Sequence, residues 1–201
     1  ENISVDCVVI GFDGTELHVL LIDREDEMRN VASAYALPGN LIYDQENLNQ
    51  AAERVLKELT GLSDIYLEQF GAFGDPNRIK KKEDQPWLKA VRTNPDARVV
   101  TIAYYALVRM SDFKLNPSSF AKEATWVPLK DIEHLPFDHF MILNQSVEYL
   151  RNNTKIRPVG YNLLPKKFTL NEMQKLYEAI FSKKIDNRNF RRKIINLEVL
   201  N

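Results

Sequence analysis

The sequence is poor in the residues that build cross-links and thiol–imidazole metal centres. It contains a single cysteine, Cys7, and three histidines among 201 residues. One thiol excludes an internal disulfide, and no cysteine lies near His134 or His139 in the pattern of a zinc site. We therefore expect Cys7, within the run VDCVVIGF, to be a buried strand residue of a protein kept in a reducing cytoplasm. Both histidines are expected to be hydrogen-bonded structural residues.

Long apolar runs and a strong net charge are also missing. No run approaches the roughly 18–20 residues needed to span a bilayer, which excludes a membrane-spanning helix. The net charge of −1 hides an asymmetry, because residues 151–201 hold 12 Lys and Arg against 4 Asp and Glu, whereas residues 1–150 hold 15 against 24. A basic segment on an acidic body favours nucleic-acid binding by the C-terminal part. A solvated, charged helix pair would give the same balance.

Periodicity divides the chain into a sheet-rich part and a helical part. Apolar residues at helical spacing predict helices over residues 47–60 and 138–151. Runs rich in β-branched and aromatic residues predict strands at SVDCVVIGF, ELHVLLIDR, YLEQFGAFG, RVVTIAYYALV and ATWVPL. Residues 75–96 carry three consecutive lysines and no clear period, so we expect an exposed, mobile loop there.

Residues 36–62, ALPGNLIYDQENLNQAAERVLKELTGL, combine a Leu-Pro-Gly turn with a helix that ends at Gly61. Helix positions three and four residues apart share a face, so carboxylates at that spacing can converge on Mg²⁺. The segment resembles the Nudix box, G-x5-E-x7-R-E-U-x-E-E-x-G-U, with its spacing intact over 23 residues. The positions that match in residue type are Glu46, Arg54, Leu56, Glu58, Gly61 and Leu62.

Three positions of the box depart from this pattern. Its opening glycine falls on Asn40, and two of its three helix acids fall on Val55 and Leu59. Glu58 alone remains from the acid trio, and apolar side chains penalise any charge placed beside them. The helix therefore favours a scaffold over a catalyst, and we expect no required cofactor.

Two readings of the remaining polar residues stay open. In the first, Glu46 and Arg54 form a salt bridge that holds the loop against the helix. In the second, the protein is a Nudix hydrolase of nucleoside diphosphate derivatives such as ADP-ribose, with Mg²⁺ and with Glu46, Arg54 and Glu58 as catalytic residues. That alternative requires acids outside the box, such as Asp75 or Glu68, to complete the metal site.

Residues 163–201 carry two short amphipathic helices. Thr169 and Glu172 form a capping box at the start of the first, and Asp186 or Asn187 can cap the second. A tight connection followed by a basic helix is typical of a helix-turn-helix, although a hairpin with solvated charges has the same pattern. The expected DNA-contacting residues are Lys166, Lys167, Asn187, Arg188, Asn189, Arg191, Arg192 and Lys193.

The two segments together resemble the Nudix-related transcription regulators of the NrtR group over essentially the whole chain. The tripeptide Phe137-Asp138-His139 also resembles that group. The resemblance implies an α+β architecture, in which a Nudix fold, a mixed sheet sandwiched by helices, precedes a small winged helix-turn-helix domain. We place these domains at residues 1–153 and 154–201, with the wing beyond Asn201.

The resemblance also implies a metabolite-responsive repressor that binds a double-stranded DNA operator as a homodimer. Its Nudix-like domain would sense ADP-ribose, a related NAD metabolite or a sugar, in a pocket between the sheet and the Nudix helix. A metabolite-binding module without DNA binding is a further, weaker alternative. Arginine suits phosphate and aromatic rings suit stacking, so the expected effector-binding residues are Arg24, Arg54, Glu58, Phe73, Arg98 and Tyr104.

Overall fold

The computed structural model describes residues 2–24, 35–156 and 160–196. The strands in these ranges are β1 (Ile3–Phe12), β2 (Leu17–Arg24), β3 (Tyr35–Ala36), β4 (Gly39–Leu41), β5 (Glu68–Phe73), β6 (Val100–Arg109) and β7 (Ala121–Pro128). The helices are α1 (Leu48–Thr60), α2 (Gln85–Val91), α3 (His139–Ile156), α4 (Leu170–Phe181) and α5 (Asn187–Asn196). Within the described ranges, none of the helices has the length and apolarity needed to cross a membrane.

The strand β1 lies at the centre of one seven-stranded mixed sheet. It pairs antiparallel with β2 and β4, and parallel with β6 along its full length. The strands β3 and β7 pair with β2, while β5 pairs with β6. Because parallel neighbours need a long crossover, the chain between β1 and β6 is free to carry the other strands and helices that surround the site.

The two faces of the sheet bury two separate apolar cores. Alternation along β1 sends Val5 and Cys7 into the core beneath α1, and Val8 and Ile10 into the core beneath α3. Burial raises the pKa of the Cys7 thiol well above its usual value, as suits an inert core residue. The predicted sandwich of a mixed sheet between helices is confirmed.

The helix α1 lies within the predicted residues 47–60 and ends at Gly61, as the sequence predicts. The Asn47 side chain accepts a hydrogen bond from the Gln50 N–H and completes a capping box. Gly61 ends the helix with φ +81°, and a Cβ at that residue would lie 2.8 Å from the Asn116 backbone. Glycine is therefore required at this position for both conformation and space.

The connection at residues 75–96 is more structured and more buried than the exposed, mobile loop that the sequence predicts. It contains a 3-10 turn and the seven-residue helix α2, and it buries Arg78, Ile79, Asp84 and Leu88. A helix of two turns is too short to show a clear period, and two of the buried residues are charged. Both features made the segment resemble a solvent-exposed loop.

The helix α3 continues five residues beyond its predicted end at residue 151. Asn152 and Asn153 do not stop it, and the Thr154 hydroxyl donates to the Leu150 carbonyl one turn earlier. The predicted domain boundary near residues 152–160 therefore includes the last turns of this helix. The domain limits themselves remain a prediction.

One continuous apolar core joins the sheet to the C-terminal helices. Ile142 and Leu150 of α3 belong to the same buried cluster as Leu176 and Ile180 of α4. Phe190 of α5 joins the cluster as well. The C-terminal helix pair is thus packed onto the sheet-bearing part rather than tethered loosely to it.

Candidate functional site

The loop before α1 is held to the helix by Arg54. Its Nε and Nη2 atoms donate to the Glu46 carboxylate, the former at 2.8 Å, and Nη2 also donates to the Leu41 carbonyl at 3.0 Å. The guanidinium lies 3.8 Å from the centre of the Tyr43 ring. The hydrogen bond from Arg54 lowers the pKa of Glu46, and the same bond raises the pKa of Arg54. The predicted brace is confirmed.

The remaining helix acid of the box forms an ion pair with the same arginine. Glu58 is half-buried and accepts from Arg54 Nη1 at 3.2 Å. The two positions at which the box carries acids, Val55 and Leu59, are 0% and 1% exposed within the apolar core. The sheet-facing side of α1 is therefore part of the packed apolar core.

Apolar side chains fill the sheet-facing side of α1, so the location of the effector pocket between the sheet and that helix stays a prediction. A cavity of about 130 Å³ lies on the opposite side of β1, near the N-terminus of α3. Its lining residues are Ser4, Asp6, Ile22, Ala36, Leu37, Gly39, Asn40, Leu41, Arg78, Ile79, Trp87, Arg92, Phe120, Phe137 and His139.

A buried ion network forms the floor of this cavity. Arg78, 6% exposed, donates from Nε and Nη2 to the two oxygens of Asp138, both at 2.8 Å, and from Nη2 to Asp6 at 3.2 Å. Burial lowers the pKa of Arg78, but the two carboxylates outweigh it and hold that pKa above its usual value. Such a paired, hydrogen-bonded arrangement is how buried charges are normally satisfied.

His139 completes the network as a hydrogen-bonded structural residue, as predicted. Its Nδ1 accepts from the Leu37 N–H at 3.2 Å, so that nitrogen carries no proton. Its Nε2 lies 3.6 Å from Asp6 Oδ1. Asp6 also occupies the space where a Cβ on Gly39 would lie, so the Leu-Pro-Gly turn needs glycine to approach this carboxylate. His134 is exposed.

The tripeptide before α3 is fixed by the connection at residues 75–96. The Phe137 N–H donates to Asp84 Oδ2 at 2.8 Å, and Lys81 Nζ donates to the Phe137 carbonyl at 2.6 Å. Phe137 has φ +55°, a conformation that side chains other than glycine adopt at an energetic cost. This strained residue stands at the cavity wall and at the entry to α3.

Of the predicted effector-binding residues, Arg54 and Glu58 contact each other, and Phe73 and Tyr104 lie in different cores. Phe73 is buried in the core beneath α3, and Tyr104 is buried beneath α1 with its hydroxyl donating to Asn49. Arg98 is exposed and donates to the Gly74 carbonyl, while Arg54 and Glu58 pair with each other. The side chain of Arg24 lies outside the described residues. Roles of these residues in effector binding remain a prediction.

The acids proposed to complete a hydrolase site are hydrogen-bonded to residues outside the box. The carboxylate of Glu68 accepts from the Tyr149 hydroxyl at 2.6 Å, and Asp75 accepts from the Asn77 N–H. Among the described residues, the cluster of metal-type ligands within 4.8 Å of one another is Asp13, Glu16 and His18, at the turn between β1 and β2.

The basic helix α5 presents a polar surface to solvent. Its apolar side is anchored by Phe190, 3% exposed, whose ring lies 5.4 Å from that of Tyr177. Asp186 caps its start by accepting from the Asn189 N–H. Of the predicted DNA-contacting residues, those with exposed side chains are Lys166, Lys167, Asn187, Arg188, Asn189, Arg191 and Arg192. The side chain of Lys193 lies outside the described residues.

The turn between α4 and α5 is fixed by side chains of α4. Gln174 donates to the Ile185 carbonyl at 2.8 Å, and Glu178 accepts from the Ile185 N–H at 2.9 Å. These bonds hold the second helix in a defined orientation relative to the first. An exposed basic helix on a rigid partner is the arrangement that a groove-reading helix requires.

Comparisons with known proteins agree with this architecture. The NUDIX domain model matches residues 1–146, and the model of the NrtR DNA-binding winged helix domain matches residues 160–201. The fold and the helix pair thus define a Nudix-type protein with an appended DNA-binding-type domain. The chain belongs to the NrtR family of Nudix-related transcription regulators, since it also shares 30% identity with the ADPR responsive transcriptional repressor NtrR of Acinetobacter baylyi. That match covers 98% of this chain and 73% of the relative.

Solved structures place the similarity along the whole chain. NrtR of Shewanella oneidensis is 25% identical with a TM-score of 0.74, over 100% of this chain and 87% of that one. Its complex with a 27mer DNA gives a TM-score of 0.70, with 25% identity over 98% of this chain and 83% of that one. The NUDIX domain of the same protein, complexed with ADP ribose, has a TM-score of 0.59 and 27% identity over 75% of this chain and 88% of that one. An ADP-ribose pyrophosphatase of Methanocaldococcus jannaschii is 27% identical over 66% of each chain.

Several residues that line the cavity are not predicted from the sequence. Arg78 and Arg92 belong to a segment without periodicity, and Asp6 is a lone acid in an apolar strand. The available signal is Asp6 itself, because a charged residue within a buried strand needs a partner. The Phe137-Asp138-His139 tripeptide is a second sequence signal, and the structure shows what it contacts.

Proposed function

We propose that this chain is a DNA-binding transcriptional repressor whose Nudix-like domain senses a small metabolite. The observation that carries the proposal is the exposed side of α5, where Arg188, Arg191 and Arg192 face solvent while Phe190 anchors the opposite side. The DNA complex of Shewanella oneidensis NrtR supports a duplex partner. By the symmetry that helix-turn-helix proteins share with their operators, the acting form is a homodimer.

ADP-ribose is the effector that the relatives favour. The Acinetobacter baylyi relative is named for its response to ADPR, and the NUDIX domain of the Shewanella oneidensis protein has been solved with ADP ribose. A related NAD metabolite or a sugar is the alternative effector within the same proposal. The protein acts where its DNA is, in the cytoplasm.

The helix α3 is a direct physical link between the cavity and the DNA-binding helices. His139 at its first turn lines the cavity, and Arg151, about 18 Å further along the axis, contacts the end of α4. Arg151 Nε donates to the Ile180 carbonyl at 2.8 Å and Nη2 donates to the Ser182 hydroxyl at 2.9 Å. A ligand that prefers one position of α3 would change DNA affinity by that difference in binding free energy.

The DNA interface can be tested by replacing single arginines. We expect Arg191→Ala to weaken binding to a duplex from the DNA upstream of the chain's own gene by roughly 5- to 150-fold, because one charge-assisted contact is lost. Lys114→Ala, an exposed cation of the sheet-bearing part, is the matched control and should change little. Titration of fluorescent duplexes at fixed salt measures the dissociation constants of both variants.

A comparison duplex separates specific from general binding. An unrelated duplex of equal length should bind the wild-type protein more weakly. If Arg191→Ala, Arg192→Ala and the control all bind the upstream duplex equally, α5 is not the DNA-reading helix.

A hydrolase is the second candidate function, favoured by the similarity to the ADP-ribose pyrophosphatase. The residues at α1 do not fit the Mg²⁺ cluster of such an enzyme, since Val55 and Leu59 are buried and apolar and Glu58 is paired with Arg54. We derive no catalytic step through a metal there.

Hydrolysis is tested directly with ADP-ribose and Mg²⁺ or Mn²⁺. We expect no release of AMP or ribose 5-phosphate above the rate of a Glu58→Gln variant, because Glu58 is the sole carboxylate left from the acid trio. Turnover in the ordinary enzyme range of about 1–1,000 s⁻¹, abolished by Glu58→Gln, would instead establish the hydrolase. Product separation by anion-exchange chromatography distinguishes these results.

A further inference from the structure

The turn between β1 and β2 brings two carboxylates and a histidine together. Asp13, Glu16 and His18 lie within one six-residue stretch of the chain. One ligand-type atom from each of them lies within 4.8 Å of those from the other two. None of the three residues lines the cavity beside β1, and none belongs to α1. The cluster is therefore separate from the sites described above.

The imidazole of His18 is the strongest indication that this cluster binds a ligand. His18 is 8% exposed, and its Nδ1 lies 3.3 Å from the Glu16 carbonyl oxygen. Because a carbonyl only accepts, Nδ1 carries the proton, and Nε2 of the neutral ring presents a lone pair. Nε2 lies 3.9 Å from Asp13 Oδ2, which is too far for a hydrogen bond, and no described residue bonds to it at a shorter distance. A buried ring nitrogen without a hydrogen bond needs a partner.

Asp13 is oriented so that one of its oxygens stays available. Its Oδ1 accepts from the Thr15 N–H at 2.7 Å, the Thr15 hydroxyl at 2.9 Å and the Glu16 N–H at 2.9 Å. Burial raises the pKa of Asp13, but these hydrogen bonds outweigh it and hold that pKa below its usual value. The carboxylate is therefore ionised at neutral pH, as a metal ligand must be. Its Oδ2 accepts none of these bonds and points to the side of His18.

Glu16 is paired with a cation that a metal ion can displace. Lys130 Nζ lies 2.7 Å from Glu16 Oε2, and the lysine side chain is 65% exposed. Exposed ion pairs contribute little to stability and are screened by salt, so the loss of this contact costs little. Glu16 is thus available as a third ligand, with Lys130 as a competitor for its carboxylate.

The donor set selects the class of metal. One imidazole nitrogen and two carboxylate oxygens suit Zn²⁺, with water completing a tetrahedral site. Mg²⁺ and Ca²⁺ favour sites made only of oxygen ligands. Zinc bonds of about 2.0–2.2 Å at tetrahedral angles place neighbouring ligand atoms about 3.3 Å apart. His18 Nε2 and Asp13 Oδ2, at 3.9 Å, need to approach by about 0.6 Å, which small side-chain rotations supply.

We propose that Asp13, Glu16 and His18 form a binding site for a divalent transition-metal ion, of which Zn²⁺ fits best. His18 binds through Nε2, Asp13 through Oδ2, and Glu16 through a carboxylate oxygen released from Lys130. The same turn borders the end of α4, since Glu16 lines a cleft that Ser182 also lines. The site is independent of the proposed sensing function.

The proposal is tested by isothermal titration of the full chain, without a polyhistidine tag, with Zn²⁺. We expect one ion per chain. Asp13→Asn keeps Oδ1 and its hydrogen bonds but removes the charge, and His18→Gln removes the imidazole, so each should weaken binding at least about 10-fold. Lys130→Met removes the competing cation and should bind Zn²⁺ more tightly. His134→Gln, which removes an exposed histidine, is the control and should bind as wild type does.

Two further measurements report on the coordination itself. X-ray absorption at the zinc edge should show one imidazole per ion and oxygen ligands at about 2.0–2.2 Å, and the imidazole signal should be lost in His18→Gln. Zn²⁺ should raise the melting temperature of wild type more than that of Asp13→Asn, because the ion binds the folded turn. Mg²⁺ at the same concentration should have little effect.

The possible results separate a built site from an adventitious ion only. If Zn²⁺ does not saturate at one ion per chain, or if Asp13→Asn and His18→Gln bind it as wild type does, the ion is adventitious only and the proposal is wrong. A zinc spectrum without imidazole, or tighter binding of Mg²⁺ than of Zn²⁺, also overturns it. If His18→Gln does not fold, Asp13→Asn and Lys130→Met change exposed residues and still decide the question.

Discussion

Replacing Leu59 by glutamate is expected to unfold the sheet-bearing part of the protein instead of rebuilding a metal site. The substitution restores an acid that the Nudix box carries, but Leu59 is 1% exposed and packs in the apolar core beneath α1. An unpaired carboxylate there should lower the free energy of unfolding by at least about 4 kcal/mol. That is a large share of the roughly 5–15 kcal/mol that holds an ordinary domain together.

Urea denaturation followed by circular dichroism measures this loss. Lys57→Glu is the matched control, because it places the same side chain on the exposed side of the same helix. Its cost should stay within about 1 kcal/mol, arising from the negative charge near the C-terminus of the helix. A folded Leu59→Glu variant of near wild-type stability that hydrolyses ADP-ribose with Mg²⁺ would show that this core opens to water and metal, against our account.

Replacing Arg78 by methionine should be comparably damaging, for a different reason. The Asp6 and Asp138 carboxylates lose the guanidinium that bonds them at 3.2 and 2.8 Å, and both are left within the protein interior. Removing one partner of a buried ion pair costs about 3–5 kcal/mol, because the remaining charge is not compensated. Since Asp138 begins the turn into α3, DNA affinity should fall together with stability.

The effect should depend on guanidinium geometry as well as on charge. Arg78→Lys keeps the charge but offers a single ammonium to two carboxylates, so we expect only partial recovery of the unfolding free energy. Arg98→Met, which removes an exposed arginine, should change stability by less than about 0.5 kcal/mol. A loss below about 1 kcal/mol in Arg78→Met would mean that water reaches the two acids and that the network is not a buried one.

The link through α3 gives the sensor and the DNA-binding helices a common physical basis. The core beneath α3 continues into α4 and α5. A shift of α3 at the cavity would therefore move side chains that pack against α4 and α5. Packed interfaces favour discrete arrangements over gradual bending, which is what the proposed metabolite-responsive repressor needs. The strained φ of Phe137 lies at the cavity end of this helix.

The sequence by itself determined the elements whose signals are local. The loop–helix of the box, its Gly61 stop and the two C-terminal helices follow from spacing and capping chemistry within a few residues. The Glu46–Arg54 brace also follows, because its partners lie eight residues apart on one motif. Val55 and Leu59 likewise predicted an apolar helix side, and the structure buries both.

Only the tertiary structure decided where the cavity lies and what lines it. Arg78 meets Asp138 from 60 residues away and Asp6 from 72, and no local period marks such pairs. The connection at residues 75–96 looked exposed because its charges are many, yet Arg78 and Asp84 are buried where partners from β1 and the start of α3 converge. A buried charge is stable only with its partner, and the partner is supplied by the fold.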